Sequence, residues 1–227
     1  MRACEHSRMQ LELSHSTAHS HLTDFRGFRK NFFSAKLKNN LSFHSNKMVE
    51  YSYELKVPRN RVAVIIGREG SVKKEIEEST KTKLNIDSKE GDVFVSGEDA
   101  LGLYTAKEII KAISRGFNPN IAKLLLKPDY IFEVVDLSEF VKSKDAMLRL
   151  KGRVIGKEGK SRRLIEELTE CNISVFGKTI SIIGLPESAA SARQAVESLL
   201  RGSTHANVYK WLEKRRRDLK RRAIMEI

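Results

Sequence analysis

Two short glycine turns, each leading into a charged amphipathic segment, constrain this chain more than any other feature. The turns are Ile66-Gly67-Arg68-Glu69-Gly70 and Ile155-Gly156-Lys157-Glu158-Gly159, and their first glycines stand 89 residues apart (156 minus 67). The residues that follow recur at the same offset: Ile76, Glu77, Glu78, Thr80, Leu84 and Ile86 match Ile165, Glu166, Glu167, Thr169, Ile173 and Val175. Two matched contexts predict an internal duplication, and therefore two copies of one small fold.

The turns themselves have the chemistry of a phosphate-binding loop. Two glycines three positions apart let another backbone approach closely, because neither has a Cβ atom. Where such a turn leads into a helix, its N–H groups and the positive end of the helix dipole favour an anion. Arg68 and Lys157 add positive charge. The structural alternative is that the glycines only allow two helices to pack closely at a corner. This alternative is less favoured because the turn occurs twice, each time with the same neighbouring residues.

Composition narrows the class of partner. A net charge of +13 and a pI of about 9.8 point to a polyanion. Cys4 and Cys171 are the two cysteines and no Cys-x-x-Cys pair occurs, so neither a disulfide framework nor a zinc ribbon is expected. No apolar run has the length of a membrane-spanning helix, and we therefore expect a soluble, cytoplasmic protein that contacts no membrane.

Residues 1–47 differ from the rest. They contain five of the six histidines and show no sustained periodicity, which predicts a disordered extension. Met48 stands just before the first patterned segment, so residues 1–47 are hypothesised not to belong to the native product. His15, His19 and His21 are candidate metal ligands, but a solvated tail is the better interpretation because no supporting residues accompany them. We expect no metal and no other cofactor.

Periodicity predicts the element order β-α-α-β-β-α in each copy. In the first copy, Pro58 ends a strand and Asp99 caps the last helix. Its predicted elements are a strand at 51–57, a short helix at 64–66, a helix at 71–80, strands at 84–87 and 93–96, and a helix at 100–116. The second copy has a strand at 131–137, an insertion at 138–144, a helix into Ile155, a helix at 161–169, strands at 172–175 and 179–183, and a helix from Pro186.

The predicted fold class is α+β, with two domains of three strands packed against helices. The domain limits are 1–47 for the extension, 48–128 and 129–202 for the two domains, and 203–227 for a basic helix beginning near Asn207. That helix has eight basic residues between Val208 and Arg222. Its one-sided charge favours phosphate contacts over a merely solvated face. We expect contacts from Lys214, Arg215, Arg216, Arg217, Lys220, Arg221 and Arg222.

The element order with V/I-I-G-x-x-G between the first two helices resembles the type I K-homology (KH) domain, twice, over roughly residues 50 to 202. The resemblance implies that each loop clamps about four single-stranded nucleotides by their backbone, with the bases in an apolar groove. The implied loop residues are Gly67, Arg68, Glu69, Gly70, Gly156, Lys157, Glu158 and Gly159. The implied groove walls are Val64, Ile65, Leu84, Ile86, Val154, Ile155, Ile173 and Val175.

Cations beside the loops are expected to neutralise phosphates: Lys73, Lys74, Arg153, Lys160, Arg162 and Arg163. Glu69 and Glu158 are unfavourable in a phosphate-binding loop, because their carboxylates would repel a nearby phosphate. An exposed carboxylate can, however, turn toward solvent. Replacing Gly156 and Gly159 together with Asp is predicted to weaken RNA binding and to leave the fold intact.

A narrower resemblance rests on residues 152–161 (Gly-Arg-Val-Ile-Gly-Lys-Glu-Gly-Lys-Ser), 180–184 and 207–209, and on Arg115-Gly116-Phe117. These segments are similar to the two-KH ribosome-assembly proteins of archaea and eukaryotes, the Dim-two or partner-of-Nob-one family. The resemblance implies binding of the 3′ region of small-subunit ribosomal RNA, in rRNA processing and small-subunit assembly, with ribosome-assembly or rRNA-cleaving protein partners. Eukaryotic members are expected to have a degenerate first loop, so Gly67 and Gly70 point to an archaeal member. We expect a monomer.

Three other functions compete with this interpretation. A P-loop enzyme requires G-x-x-x-x-G-K-[ST], but Val154 stands where the first glycine is needed before Gly159-Lys160-Ser161. Catalysis on RNA by Glu166 and Glu167 is less favoured than their role as exposed i, i+4 partners of neighbouring cations. A general KH adaptor in RNA decay or translation remains open. The protein is therefore not expected to be an enzyme.

Overall fold

The computed structural model of the protein describes residues 51–225, and the predictions for residues 1–47 lie outside this range. Two β-α-α-β-β-α units follow one another along the chain, which confirms the predicted fold class. The first unit comprises β1 (Tyr51–Lys56), α1 (Arg59–Ile66), α2 (Ser71–Thr80), β2 (Lys83–Asp87), β3 (Asp92–Gly97) and α3 (Ala100–Ser114). The second comprises β4 (Ile131–Asp136), α5 (Lys144–Ile155), α6 (Lys160–Thr169), β5 (Asn172–Phe176), β6 (Thr179–Gly184) and α7 (Pro186–Leu200).

Each unit contains a three-stranded antiparallel sheet with its last strand in the centre, in the orders β1-β3-β2 and β4-β6-β5. In the first sheet, Leu55 pairs with Val93 and Leu84 pairs with Val95. All four are buried, because alternate residues of a strand point to the same face and this face packs against the helices. Asp99 caps α3 as predicted, with its carboxylate accepting hydrogen bonds from the N–H groups of Leu101 and Gly102.

Between the two units lies a segment for which no element was predicted. It forms α4 (Pro119–Ala122) and a 3-10 turn (Lys123–Leu126), which pack against the core of the first unit. Asn118 caps α4 and Pro119 occupies its first turn, where a missing N–H has no cost. The connection therefore belongs structurally to the first unit.

The two units share an apolar contact. Ile183 of β6 is fully buried in the core of the first unit, and Phe132 of β4 packs against the same core. The other face of β6, with Ile180 and Ile182, lies in the core of the second unit. Every residue of β6 is therefore buried, because this central strand is covered on both faces.

The C-terminal helix α8 (His205–Met225) begins slightly before its predicted start at Asn207. The reason is local, since the Thr204 hydroxyl accepts a hydrogen bond from the Asn207 N–H at 3.4 Å. Val208 and Leu212 are buried in the core of the second unit, and α8 packs against α6 and α7. Among the helices between residues 51 and 225, none is long and apolar enough to cross a bilayer.

Candidate nucleic-acid interface

The first glycine of each loop has a backbone conformation that only glycine adopts readily. Gly67 has φ 72° and ψ −177°, and Gly156 has φ 72° and ψ 175°. A Cβ atom on Gly67 would lie 2.5 Å from Val72 Cγ2, and one on Gly156 would lie 2.6 Å from Ser161 Cβ. The first glycines are therefore needed by the fold, whatever the loop binds.

The second glycines lie in a more open environment. Gly70 and Gly159 are left-handed, with φ 78° and 76°, and they precede α2 and α6 without any side-chain cap. Among residues 51–225, no atom lies within 4 Å of a Cβ built on Gly70, and on Gly159 the nearest atom is Arg163 Nε at 3.6 Å. Each helix therefore presents its N-terminus to open space, as an anion-binding loop requires.

Not all loop amides are available to a ligand. The Gly159 N–H donates to Gly156 O at 3.2 Å, and the Lys160 N–H donates to Lys157 O. Part of the predicted set of free N–H groups is thus used to close the turn. The side chains of Lys157 and Glu158 are exposed at the tip of the loop.

Both loop glutamates have left-handed backbone conformations, with φ 51° at Glu69 and 55° at Glu158. This region costs a residue with a Cβ atom about 1 to 2 kcal/mol. Such strain in an exposed loop is common at ligand-binding sites. The same backbone geometry occurs in both loops, which indicates that it follows from the shape of the turn.

Glu158→Gly is expected to bind unpaired RNA more tightly, by up to about fivefold, because it removes a negative charge near the bound phosphates. It should also stabilise the fold by about 1 kcal/mol, since the left-handed conformation costs glycine little. Fluorescence anisotropy with a labelled oligonucleotide measures the first effect. Glu167→Gln removes a charge from α6 outside the loop and serves as the control; an equal gain there would show a general charge effect.

The predicted phosphate contacts divide into two groups. Arg68, Lys74, Lys157 and Lys160 are exposed at or beside the loops. Lys160 Nζ lies 3.9 Å from Glu158 Oε2, a distance that an exposed lysine readily changes. These four side chains are open to solvent, and their contact with phosphate stays a prediction.

Other predicted cations already have partners within the protein. Arg163 donates a hydrogen bond to the Glu158 carbonyl at 2.6 Å, which stabilises the second loop. Lys73 pairs with Glu77 at 3.9 Å, and Arg162 reaches the Ile173 carbonyl at 3.4 Å. Arg153 is half-buried and donates to the carbonyls of Gly202 and Ser203, which connect α7 to α8. These bonds give Arg153 a structural role that was not predicted, and its contact with phosphate stays a prediction.

The prediction of which residues line the grooves is corrected at four positions. Ile65, Leu84, Val154 and Ile173 are at most 3% exposed and belong to the cores, so they support the groove from beneath and cannot face a base. The half-exposed members are Val64, Ile86, Ile155 and Val175.

Sequence analysis also missed a groove residue. Ile66 is half-exposed and corresponds to Ile155 at the 89-residue offset, whereas Ile65 corresponds to the buried Val154. Aligning the two repeats residue by residue would have identified it. The exposed Ala63 and Gly152 also correspond to each other, one turn of helix before the loops.

Glu77 and Glu166 have a role that their charge pattern did not reveal. The i, i+4 pairs with Lys73 and Arg162 are present, at 3.9 and 3.8 Å. In addition, Glu77 Oε1 accepts the Leu84 N–H at 2.7 Å and Glu166 Oε1 accepts the Ile173 N–H at 2.8 Å. Each carboxylate thus joins the helix after the loop to the strand that forms the groove wall.

Glu166→Ala is expected to destabilise the second unit by about 1 to 3 kcal/mol, because the partly buried Ile173 N–H loses its acceptor. Glu166→Gln keeps an acceptor oxygen and should cost under about 1 kcal/mol. Urea unfolding followed by fluorescence reports on this unit, since Trp211 is the one tryptophan of the chain and packs against its core. Equal losses in both variants would assign the stability to the ion pair with Arg162.

The basic residues of α8 do not form one surface. Arg215 and Arg216 are half-buried, and Arg216 lies 3.5 Å from Glu170. Lys214, Arg217, Lys220, Arg221 and Arg222 are exposed. The predicted set therefore separates into structural and solvent-facing members.

Cys171 packs as a small hydrophobic residue, as predicted. It is 4% exposed, and burial raises the pKa of its thiol to about 11, so it stays protonated and unreactive near neutral pH. Within residues 51–225, no group of three or more His, Cys, Asp or Glu has the arrangement of a metal site.

Comparison with known proteins agrees with this geometry. A family model described as "Eukaryotic type KH-domain (KH-domain type I)" matches residues 131–217, and a model described as "KH domain" matches residues 52–112. The two matches together contain both glycine loops.

Similar proteins match this chain over about half to three quarters of its length. The KH domain-containing protein MJ0443 of Methanocaldococcus jannaschii is 49% identical over 171 residues, which are 74% of this chain and 75% of that protein. The pre-rRNA-processing protein PNO1 of Chaetomium thermophilum is 32% identical over 111 residues, 47% of this chain and 42% of the fungal protein. A chain in the crystal structure of the a/eIF2alpha-aDim2p-rRNA complex from Pyrococcus horikoshii OT3 is 42% identical, with a TM-score of 0.71 over 74% of this chain and 96% of its own. The protein described here thus belongs to the Dim2/PNO1 family of two-KH-domain proteins.

Proposed function

We propose that this protein binds unpaired RNA in the 3′ region of small-subunit ribosomal RNA and acts in rRNA processing and assembly of the small ribosomal subunit. The observation that carries the proposal is the duplicated loop. In both copies an uncapped helix start and exposed cations adjoin half-exposed apolar side chains. This combination suits a strand whose phosphates face the loop and whose bases lie in the groove.

The relatives support the choice of RNA. The fungal protein carries pre-rRNA processing in its name, and the archaeal crystal structure contains rRNA together with aDim2p. The net charge of +13 suits the same partner. The 3′ region as target follows from the family resemblance.

Affinity should come mainly from phosphate neutralisation. For single-stranded RNA, the logarithm of the affinity falls by roughly 0.7 per contacted phosphate for each tenfold rise in salt. Four exposed loop cations, Arg68, Lys74, Lys157 and Lys160, would give a slope of about −3. Specificity is assigned to the half-exposed groove residues, since phosphates carry no sequence information.

The site is proposed to bind and not to catalyse. Of Glu166 and Glu167, the two acids considered for catalysis, Glu166 accepts a hydrogen bond from a main-chain N–H of the groove strand, as its counterpart Glu77 does in the first unit. Glu167 is exposed on the same helix. We further propose that the protein works in the cytoplasm as a monomer, and that an assembly factor or rRNA-cleaving protein accompanies it on the RNA.

Crosslinking of the full chain to total cellular RNA, followed by mapping of the contacted positions, tests the proposal. Enrichment at the 3′ region of small-subunit rRNA is the expected result. A variant with Gly70→Asp and Gly159→Asp should lose these crosslinks. Enrichment on messenger RNA would instead favour a general KH adaptor in RNA decay or translation.

A further inference from the structure

We infer that the outer face of α8 is a second RNA-binding surface, which takes the phosphate backbone of base-paired RNA while the two loops hold unpaired RNA. Four basic residues define this surface, called here the α8 stripe: Lys210, Lys214, Arg217 and Arg221. All four are exposed. Their spacing of four, three and four residues places them within about 60° of one another around the helix.

The stripe lies opposite the buried face of α8. Val208 and Leu212, on that buried face, are 4% and 1% exposed. The four cations therefore point away from the protein. Along the helix axis they extend over about 16 Å, with neighbours about 4.5 to 6 Å apart.

Within the part of the chain that the structure describes, no ion pair neutralises the charge of the stripe. Glu213 and Asp218 flank the stripe on its two sides, and among residues 51–225 no carboxylate comes within 4.0 Å of its cations. Arg216, which does have such a partner in Glu170, lies outside the stripe. Four uncompensated cations in one line attract a linear polyanion.

The helix that carries the stripe is held in place at both ends of its packed region. At its start, Arg153 donates to the carbonyls of Gly202 and Ser203, and His205 Nε2 lies 2.9 Å from Arg153 O. Further along, Arg216 reaches Glu170 at the end of α6. Lys210 and Lys214 lie between these two contacts, and Arg217 and Arg221 follow on the same helix. The helix therefore sets the spacing of the cations, which suits the regular phosphates of a helical nucleic acid.

The chemistry of the stripe favours paired over unpaired RNA. Surfaces for single strands combine cations with aromatic side chains on which bases stack. The aromatic residues of α8, Tyr209 and Trp211, are half-buried against the core and lie outside the stripe. Paired RNA is recognised through its shape and its phosphates, for which cations alone suffice.

The location of the stripe separates it from the groove of the second unit. That groove lies between α5, α6 and β5, whereas α8 packs on α6 and α7, and α7 packs on the sheet. The stripe faces outward from this helical layer. One RNA molecule with a helix next to an unpaired segment would occupy both surfaces.

A variant with Lys210, Lys214, Arg217 and Arg221 all replaced by Gln tests the inference in the full chain. The probes are a blunt-ended RNA duplex and an unpaired oligonucleotide of the same length, titrated by fluorescence anisotropy at several salt concentrations. Duplex affinity should fall by at least about tenfold and the salt slope by about 3 to 4, because each lost contact contributes about 0.9. Affinity for the unpaired probe should change by less than about threefold.

A pair of double variants on the same helix provides the matched control. Lys214→Gln with Arg217→Gln removes two charges from the stripe, and Lys220→Gln with Arg222→Gln removes two exposed charges beside it. The first pair should weaken duplex binding several times more than the second. Equal losses would show a response to total charge and would overturn the inference.

The inference rests on the proposed function only in taking RNA as the polyanion, and the two can fail separately. Wild-type protein that does not bind the duplex, or a stripe variant that binds it unchanged, overturns the inference alone. Equal loss of both probes in the stripe variant would also overturn it, since the stripe would then extend the loop site. Unpaired binding that survives Gly70→Asp with Gly159→Asp would overturn the loop proposal and leave the stripe intact.

Discussion

Gly159→Asp is expected to weaken binding of unpaired RNA about a hundredfold and to leave the second unit folded. The substitution places a carboxylate at the start of α6, where a phosphate of the strand is proposed to lie, and like charges in contact cost several kcal/mol. The fold should survive, because the site is open and Asp tolerates a left-handed conformation better than most residues. Anisotropy titration measures the affinity, and circular dichroism checks the fold.

Gly177→Asp is the matched control. Gly177 also has a positive φ, 57°, and nothing lies within 4 Å of a Cβ built on it, but it stands in the turn between β5 and β6. This variant should bind RNA within about threefold of the wild type, the range of a single surface charge. Unchanged binding by Gly159→Asp would refute the second loop as the main clamp, and Gly70→Asp would then test the first.

The predicted double substitution of Gly156 and Gly159 is a poorer experiment than the single one. At Gly156, an added Cβ atom would lie 2.8 Å from the Ser161 backbone N, so the expectation of an intact fold is wrong for this residue. A loss of binding in the double variant would mix two causes. Gly159 separates binding from folding because its surroundings are open.

Gly156→Ala is expected to destabilise the second unit by about 3 kcal/mol. Alanine must either keep φ 72° with ψ 175°, a region essentially closed to residues with a Cβ atom, or shift the loop away from α6. A clash with Ser161 adds the cost of overpacking. Urea unfolding followed by the fluorescence of Trp211 measures the loss.

Gly152→Ala, four residues earlier in α5, should have the opposite effect. Nothing lies within 4 Å of a Cβ built on Gly152, and its helical position favours alanine over glycine by about 0.5 to 1 kcal/mol. The two Gly→Ala changes, one inside α5 and one at its C-cap, are thus expected to change the free energy of unfolding in opposite directions. Stabilisation by both, or destabilisation by both, would contradict the backbone geometry described here.

The loops were predictable because their requirement is local. Positive φ angles at Gly67, Gly70, Gly156 and Gly159 are imposed by the turn itself, and glycine is the residue that meets them at little cost. The cap at Asp99 is local in the same sense, since its side chain bonds to N–H groups two and three residues away. Interactions between residues this close in the chain can be predicted from one amino-acid sequence.

The groove was only half predictable. Val64, Ile65 and Ile66 are all strongly apolar, and which one faces the core depends on how α1 is rotated against α2 and α3. The role of Arg153 and Arg163 was also hard to predict, because an arginine beside a glycine loop can contact either a phosphate or a carbonyl of the protein. The partners of Arg153 lie 49 and 50 residues away, and no local pattern records them.

The amino-acid sequence alone was sufficient for the duplicated fold, the two glycine turns and the excess of positive charge, because each depends on residue type and short-range spacing. Folding was needed to establish which apolar residues line the grooves, which arginines are already paired, and which cations of α8 share a face. The burial of Ile183 in the core of the other unit belongs to the same group. These features arise from contacts between residues far apart in the chain, and such contacts exist only once the helices and sheets have packed.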